Sequence, residues 1–487
     1  MTLTIHQPDT TVRRVFIDCT ATRGDGMNTG IQRVVRNIVN AADGVGSERG
    51  VECRGMYFEP TRGFVAIDQL AFPQGQRSSG SRPGKLWALL RKGLAATGAL
   101  EFVREARQLG RQTKHLALFP VRRLSRKGIQ YQPGDVLLLI DRSWGRDFPW
   151  EEIRYAQSQG AIIGLVVYDL IPLQYPQFFE RSLQKVFSRW WGTARQVADF
   201  IVAISESVVD DIERIDVVRP PRHGSPPLSA GSFLLGAELD GAKQGGTLRP
   251  ELELAFPQSG PKNTYLMVGT LSPRKNHALA IDACDQLWSE GIDVRLAIAG
   301  GNGWDSEPLI ERIRNHSELG RRLFWLEGVR DHELDMCYRR AAGLITPSFA
   351  EGFNLPIVEA LSKGCPVFAS DLPVHREVGG EYAAYFGVNN ALALARLMAK
   401  QQRGEPLAGV KSPCDFRWPG WIESCRDLLD RVLELAGSPA TSALPQPARL
   451  PASPHIGTPR SVRAGSPVDR PVPSADSRSP RIAGSAR

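Results

Sequence analysis

The chain has 487 residues, 60 Lys plus Arg against 52 Asp plus Glu, a net charge of +8, and 42% hydrophobic residues. Those proportions belong to a folded protein of two domains and exclude a collagen-like, coiled-coil or wholly disordered chain. The longest apolar run, residues 161–173, carries Asp169 and falls short of the ~20 residues a membrane span needs, and the first residues hold no apolar signal core.

The first predicted strand is Val15–Asp18. A loop with Gly24, Gly26 and Gly30 follows, and Thr29–Ala42 reads as a helix with Ile31, Val34, Val35, Ile38 and Val39 on one stripe. The glycines lack the spacing of a dinucleotide fingerprint, so a nicotinamide cofactor is not expected. Gln32 and Arg33 are candidate ligands; Arg33 reads equally well as a solvated helix charge. Residues 61–130 then hold 14 Lys plus Arg against 3 acids, with Leu86, Trp87 and Phe102 among the cations. This basic insertion is either a solvated face or a seat on an anionic membrane surface.

Apolar strands continue at Asp135–Ile140, Ala161–Tyr168 and Phe200–Ile204. Asp169 ends one of them and Ser205 and Glu206 end another, at the edge where such sheets bind ligands. Phe233–Glu238 is the expected strand into a Pro- and Gly-rich linker within 210–262. A second series follows at Tyr265–Gly269, Val294–Ala299, Leu323–Leu326, Gly343–Thr346 and Val367–Ser370. Runs that are apolar throughout are how strands buried on both faces read, so the class is α/β with parallel sheets.

Two motifs carry the chemistry. In YLMVGTLSPRKNHALA, Arg274 and Lys275 precede a helix starting near Asn276, which makes a diphosphate site on simple electrostatics. In SFAEGFNLPIVEALSKG, a Gly-containing loop with Glu351 leads into a helix opening at Leu355–Pro356 and ended by Gly364. Glu359 lies in its first turns. The amides of Phe353, Asn354 and Leu355 point out of the helix start, where they can take an anionic phosphate. The plainer alternatives are a solvated loop acid, a first-turn charge and a basic turn.

The spacing Glu351-x(7)-Glu359, with G-T-x-x-P-R-K-N upstream, resembles the retaining glycosyltransferases of family 4. The resemblance extends through Asp371–Phe386 and Phe416–Asp430 and covers roughly residues 12–60 and 131–436. It implies the GT-B fold, two Rossmann-like parallel-sheet domains facing across a cleft. The expected divisions are 12–240 for the acceptor, 258–410 for the nucleotide sugar, 411–437 as a helix crossing back, and 438–487 as a disordered tail. It implies that Arg274 and Lys275 hold the donor diphosphate, that Glu351 bonds the donor sugar, and that Glu359 bonds the ribose. It also implies that residues 352–355 cradle phosphate, that Gly30 faces the donor phosphates, and that Asp169 orients the acceptor. Many members carry Arg where this chain has Thr270, and His where it has Tyr168.

The implied activity is transfer of a hexose from a nucleotide sugar, with GDP-mannose the first guess, to a glycan or polyprenyl-linked acceptor in bacterial surface polysaccharide synthesis. No cofactor or metal is expected, and the residues 352–355, Glu351, Lys275 and Asp169 are the candidate site. A nucleotide-sugar epimerase of the same fold needs cleft histidines that the chain does not place. His277 and His375 read as packing or surface residues. A nucleic-acid-binding role lacks interleaved aromatic and basic residues. Seven scattered cysteines, without a C-x-x-C pair, fit reduced thiols in a cytoplasm.

The charge is segregated. Residues 61–130 carry +11 and residues 438–487 carry +5, which leaves the rest of the chain at −8. The basic balance therefore belongs to one insertion and one tail, and nucleic acid is not an expected partner.

Overall fold

A computed structural model describes residues 12–24, 29–72, 119, 127–145, 147–218, 228–239 and 249–437. Most of the basic segment and the whole 438–487 tail, with the expectations attached to them, lie outside the described residues, as does Gly26.

The first sheet begins with β1 (Arg14–Asp18), followed by α1 (Thr20–Gly24) and α2 (Gly30–Glu48). Next come β2 (Glu52–Glu59), β3 (Gly63–Ile67), β4 (Asp135–Leu139), α3 (Trp150–Ser158) and β5 (Ile162–Val167). Then α4 (Ile171–Gln174), α5 (Arg181–Val197), β6 (Phe200–Ala203), α6 (Glu206–Val218) and β7 (Ser229–Ser232) complete it. The strand order is β3-β2-β1-β4-β5-β6-β7. Every residue of β4 and β6 is buried, as a strand covered by helices on both faces must be.

One edge is not parallel. β2 and β3 pair antiparallel, from Glu59 opposite Gly63 to Gly55 opposite Ile67. Only three residues join them, too few for the crossover a parallel pair needs. The other pairings of this sheet are parallel, as expected, and β3 is an antiparallel strand added at its edge. This places residues 63–67 in the sheet, although the composition groups them with the basic insertion. The expected strand Phe233–Glu238 is corrected. The strand is Ser229–Ser232, paired with β6.

The second sheet is built from α7 (Pro250–Ala255), β8 (Thr264–Val268), α8 (His277–Ser289), β9 (Arg295–Ala299), α9 (Glu307–Arg314) and β10 (Leu323–Leu326). It continues with α10 (Asp331–Arg340), β11 (Gly343–Thr346), α11 (Leu355–Ser362), β12 (Val367–Ser370), α12 (Pro373–Gly379), β13 (Ala383–Phe386) and α13 (Ala391–Gln402). Its order is β10-β9-β8-β11-β12-β13, and all its pairings are parallel. The chain direction across the sheet reverses between β8 and β11. Loops after those two strands therefore diverge and open a crevice between them.

The last described helix, α14 (Trp421–Leu435), returns to the first sheet. Arg426 pairs with Glu48, and the Arg49 guanidinium pairs with Asp430, so two charge pairs tie α14 to the end of α2. The segment 233–238, freed from strand pairing, receives the helix start. Trp418 Nε1 donates to the Leu235 carbonyl at 2.7 Å, and Trp421 Nε1 to that of Glu238 at 2.9 Å.

The first sheet reverses direction at β1 and β4, and two acids stand there. Asp18 takes both the amide and the hydroxyl of Thr20, at 3.1 and 2.6 Å. Asp141 takes the Thr22 amide at 2.6 Å. Burial, reinforced by the Asp141 charge, pushes the Asp18 carboxyl up to about 7. Between the ordinary carboxylate range and that value, the folded chain holds a proton that the unfolded chain has released. Stability therefore falls as pH rises through this window. Asp18→Asn should remove that loss and gain on the order of 1–3 kcal/mol over the unsubstituted chain between pH 5 and pH 8. Urea melts at both pH values measure it; an equal difference at the two would contradict the assignment.

Candidate functional site

The crevice of the second sheet is lined by the two motif loops. After β8, residues Pro273–Lys275 form one turn of 3-10 helix, and Asn276 takes a left-handed conformation (φ 53°) before α8. After β11, residues 347–354 run to α11, whose cap residue Asn354 is also left-handed (φ 77°). The helix stops where a glycine permits it. Gly364, at φ +72°, donates its amide to the Leu361 carbonyl.

The loops meet at Glu351. Its carboxylate takes Lys275 Nζ at 2.6 Å, Arg274 Nη1 at 2.7 Å and the Ser348 hydroxyl at 2.6 Å. Arg274 also donates to the Ala350 carbonyl, and its own carbonyl accepts the Phe349 amide at 2.9 Å. Burial alone pushes a carboxyl up. Here Arg274 and Lys275 outweigh it and hold Glu351 well below the usual carboxylate range. Lys275 moves down, because burial and the adjacent Arg274 outweigh its pairing with Glu351. Two cations thus stand beside one carboxylate at the crevice, pre-formed and one positive charge in excess.

Asp169 follows β5 and approaches from the first sheet. Its carboxylate caps the Ile171 amide at 3.1 Å, and burial raises it against the pull of Arg274. The approach is close enough to require Gly352. A Cβ built there would lie 2.0 Å from the Tyr168 carbonyl oxygen. Ser205, at the end of β6, donates to the Gly352 carbonyl at 2.8 Å. Glu206 turns away to the Ser232 hydroxyl. The Glu206 and Ser207 amides donate to the Glu377 carboxylate at 2.7 and 2.9 Å, so an acid of α12 caps the start of α6 across the cleft. Gly30 opens α2 opposite Leu355, where a Cβ built on the glycine would lie 3.8 Å from Leu355 Cδ1.

Glu359 lies deeper in α11, 3% exposed. Its carboxylate takes Arg33 Nη1 at 2.5 Å and the Tyr338 hydroxyl at 2.7 Å. Arg33 also reaches Asp331 at 3.1 Å. Burial raises Glu359 despite the cation. Arg33 is therefore neither a solvated charge nor a lone ligand. Reading Glu359 as an exposed first-turn charge is likewise excluded. Gln32 caps α2, where its Oε1 accepts the Thr29 amide at 2.9 Å.

Two histidines of the motifs are core residues. His375 is fully buried. Its Nδ1 lies 2.8 Å from the Ser370 carbonyl and its Nε2 2.8 Å from Asn354 Nδ2, so it braces the left-handed cap of α11. Burial lowers it to about 4, and burial with Lys275 lowers His277 to about 3; both rings are neutral near pH 7. Sequence reasoning missed Tyr338 and Glu377. Tyr338 lies on a helix outside both motifs, and its only trace is the buried stripe Leu334, Cys337, Tyr338. Among the described residues, no group of three or more His, Cys, Asp or Glu is placed to hold a metal ion.

Residues 251–408 match the family described as glycosyl transferases group 1. The serotype-specific mannosyltransferase WbdA of Escherichia coli is 30% identical over 316 residues, 62% of this chain and 38% of its own length. The O-antigen chain mannosyltransferase RfbU of Salmonella typhimurium is 26% identical over 224 residues, 45% of this chain and 55% of that one. The chain thus spans well under two thirds of the length of either relative. The solved sucrose-phosphate synthase of Thermosynechococcus elongatus superposes with a TM-score of 0.51 at 16% identity, over 87% of this chain and 96% of that chain. That likeness and the two sheets give the fold: GT-B.

Proposed function

From the premise that residues 251–408 are a glycosyl transferases group 1 domain, we propose that this chain transfers a hexose from a nucleotide sugar to a saccharide acceptor. The observation that carries the reading is the Arg274–Lys275–Glu351 cluster in the crevice between β8 and β11. A donor diphosphate brings at least two negative charges. Arg274 and Lys275 can follow it, since each binds Glu351 through a flexible side chain. Released from one cation, Glu351 accepts hydroxyls of the donor sugar. The amides opening α11, which have no partner within the helix, face the phosphates. Glu359 takes the ribose hydroxyls once Arg33 shifts toward Asp331.

The proposed reaction retains configuration. The bond from C1 to the phosphate oxygen breaks, and the acceptor oxygen bonds to C1 on the face the diphosphate leaves. The acceptor proton passes to the departing phosphate oxygen. Arg274 and Lys275 stabilise the charge that grows there. Asp169 orients the acceptor hydroxyl from the first sheet. Mannose from GDP-mannose is the proposed donor pairing, supported by the two mannosyltransferase relatives. The proposed acceptor is a lipid-linked glycan, which the basic 61–130 stretch would meet at an anionic membrane surface.

Thermal-shift titration with GDP, UDP and ADP, followed by turnover of the matching sugars, tests the reading. GDP should raise the melting temperature most. At a concentration 100-fold above Kd it adds about 2.7 kcal/mol of stability. No shift with any of the three would contradict a nucleotide-sugar site.

A further inference from the structure

We infer that Tyr175, Phe178 and Phe349 form a stacking platform for a pyranose ring of the acceptor saccharide. The inference rests on the transferase reading and names where its acceptor lies. Phe178 stacks on Phe349 with ring centroids 5.5 Å apart and planes 20° apart. Tyr175 continues the row, 6.2 Å from Phe178 at 32°. The three rings span the cleft, since Tyr175 and Phe178 follow β5 in the first sheet and Phe349 follows β11 in the second.

Tyr175 is 39% exposed, so its ring is open to solvent at that end of the row. The row adjoins the candidate chemistry at both ends. Phe349 lies two residues before Glu351, and its amide is held by the Arg274 carbonyl. Tyr175 lies on the short segment that begins at Asp169.

The segment is also rigid. Pro172 and Pro176 restrict the backbone. The Tyr175 amide donates to the Ile171 carbonyl at 2.8 Å and the Phe178 amide to the Tyr175 carbonyl at 3.1 Å. Gln184 Nε2 donates to the carbonyls of Pro176 and Phe179 at 2.7 and 2.8 Å. Rings held this way lose little freedom when a ligand arrives. A pyranose offers a flat face of C–H groups for stacking and a rim of hydroxyls, which Asp169 can receive. A planar base would stack as well, so the nucleoside diphosphate affinity of Tyr175→Leu separates a saccharide from a nucleotide.

Calorimetric titration of the full chain with α-mannotriose, maltotriose and chitotriose tests the platform. At least one should bind. Tyr175→Leu should weaken it roughly tenfold, as loss of one aromatic stack does, while Tyr175→Trp should bind at least as well as the unsubstituted chain. Nucleoside diphosphate affinity should be the same in all three proteins. The inference is overturned if no trisaccharide binds, or if binding is indifferent to Tyr175→Leu. It is equally overturned if Tyr175 governs cosedimentation with phosphatidylglycerol vesicles instead, which would make the row a lipid contact. Failure of nucleoside diphosphates to bind the unsubstituted chain would count against the transferase reading, so the two failures are distinguishable.

Discussion

Replacing Lys275 with alanine should lower nucleotide-sugar turnover by about 10²–10³-fold while leaving the chain folded. The fold should survive because Glu351 keeps Arg274 at 2.7 Å and Ser348 at 2.6 Å. The cost in stability is that of one hydrogen bond to a charged group, on the order of 1.5–3 kcal/mol. Turnover should fall much further, because the growing phosphate charge then faces one cation instead of two. Glu351→Gln makes the complementary case. It leaves Arg274 and Lys275 without their counter-charge, so nucleoside diphosphate should bind more tightly while transfer is lost. Binding titrations and initial rates on both variants measure this. Parallel loss of binding and turnover in Glu351→Gln would show that the carboxylate only maintains structure.

The second large effect concerns Glu359. Glu359→Leu should destabilise the chain by about 1–3 kcal/mol, because it takes the buried carboxylate from Arg33, which keeps Asp331, and leaves the buried Tyr338 hydroxyl without its acceptor. The double variant Arg33→Met with Glu359→Leu removes both charges and should recover much of that loss, since Asp331 is partly exposed and readily solvated. Nucleotide affinity should not recover, because the ribose acceptor is still missing. Denaturant melts and nucleotide titrations on the single and double variants separate the two roles. Recovery of affinity in the double variant would leave Glu359 a structural residue only.

Much of this architecture is legible along the chain. Nine of the ten expected strands are present, from Val15–Asp18 to Val367–Ser370, with ends moved by a residue or so, and Phe233–Glu238 is the exception. A strand buried on both faces must be apolar throughout, so its signal is local. Of the four strands not expected, Gly63–Ile67 and Ala383–Phe386 are short apolar runs that carry that signal, and the other two lack it. Ser229–Ser232 reads SAGS, and Glu52–Glu59 mixes charges with apolar residues. Their place comes from neighbours in the sheet. The candidate site divides the same way. Arg274, Lys275, Glu351 and the α11 start are short-range features, carried by Gly, Pro and charge at fixed spacing.

What the sequence by itself determined is the α/β class, the two motif loops and their cationic and acidic residues, because each depends on a few consecutive positions. Only the tertiary structure decided their partners. It set Arg33 on Glu359 across 326 positions of chain, Glu377 on the start of α6 across 171, and Phe178 against Phe349. It also gave Gly352 a steric reason to be glycine, in a carbonyl that arrives from the other sheet. Contacts between distant segments leave no periodicity in the chain. They exist only once two sheets have folded and closed on one another, when burial makes each unpaired charge costly enough to require its partner.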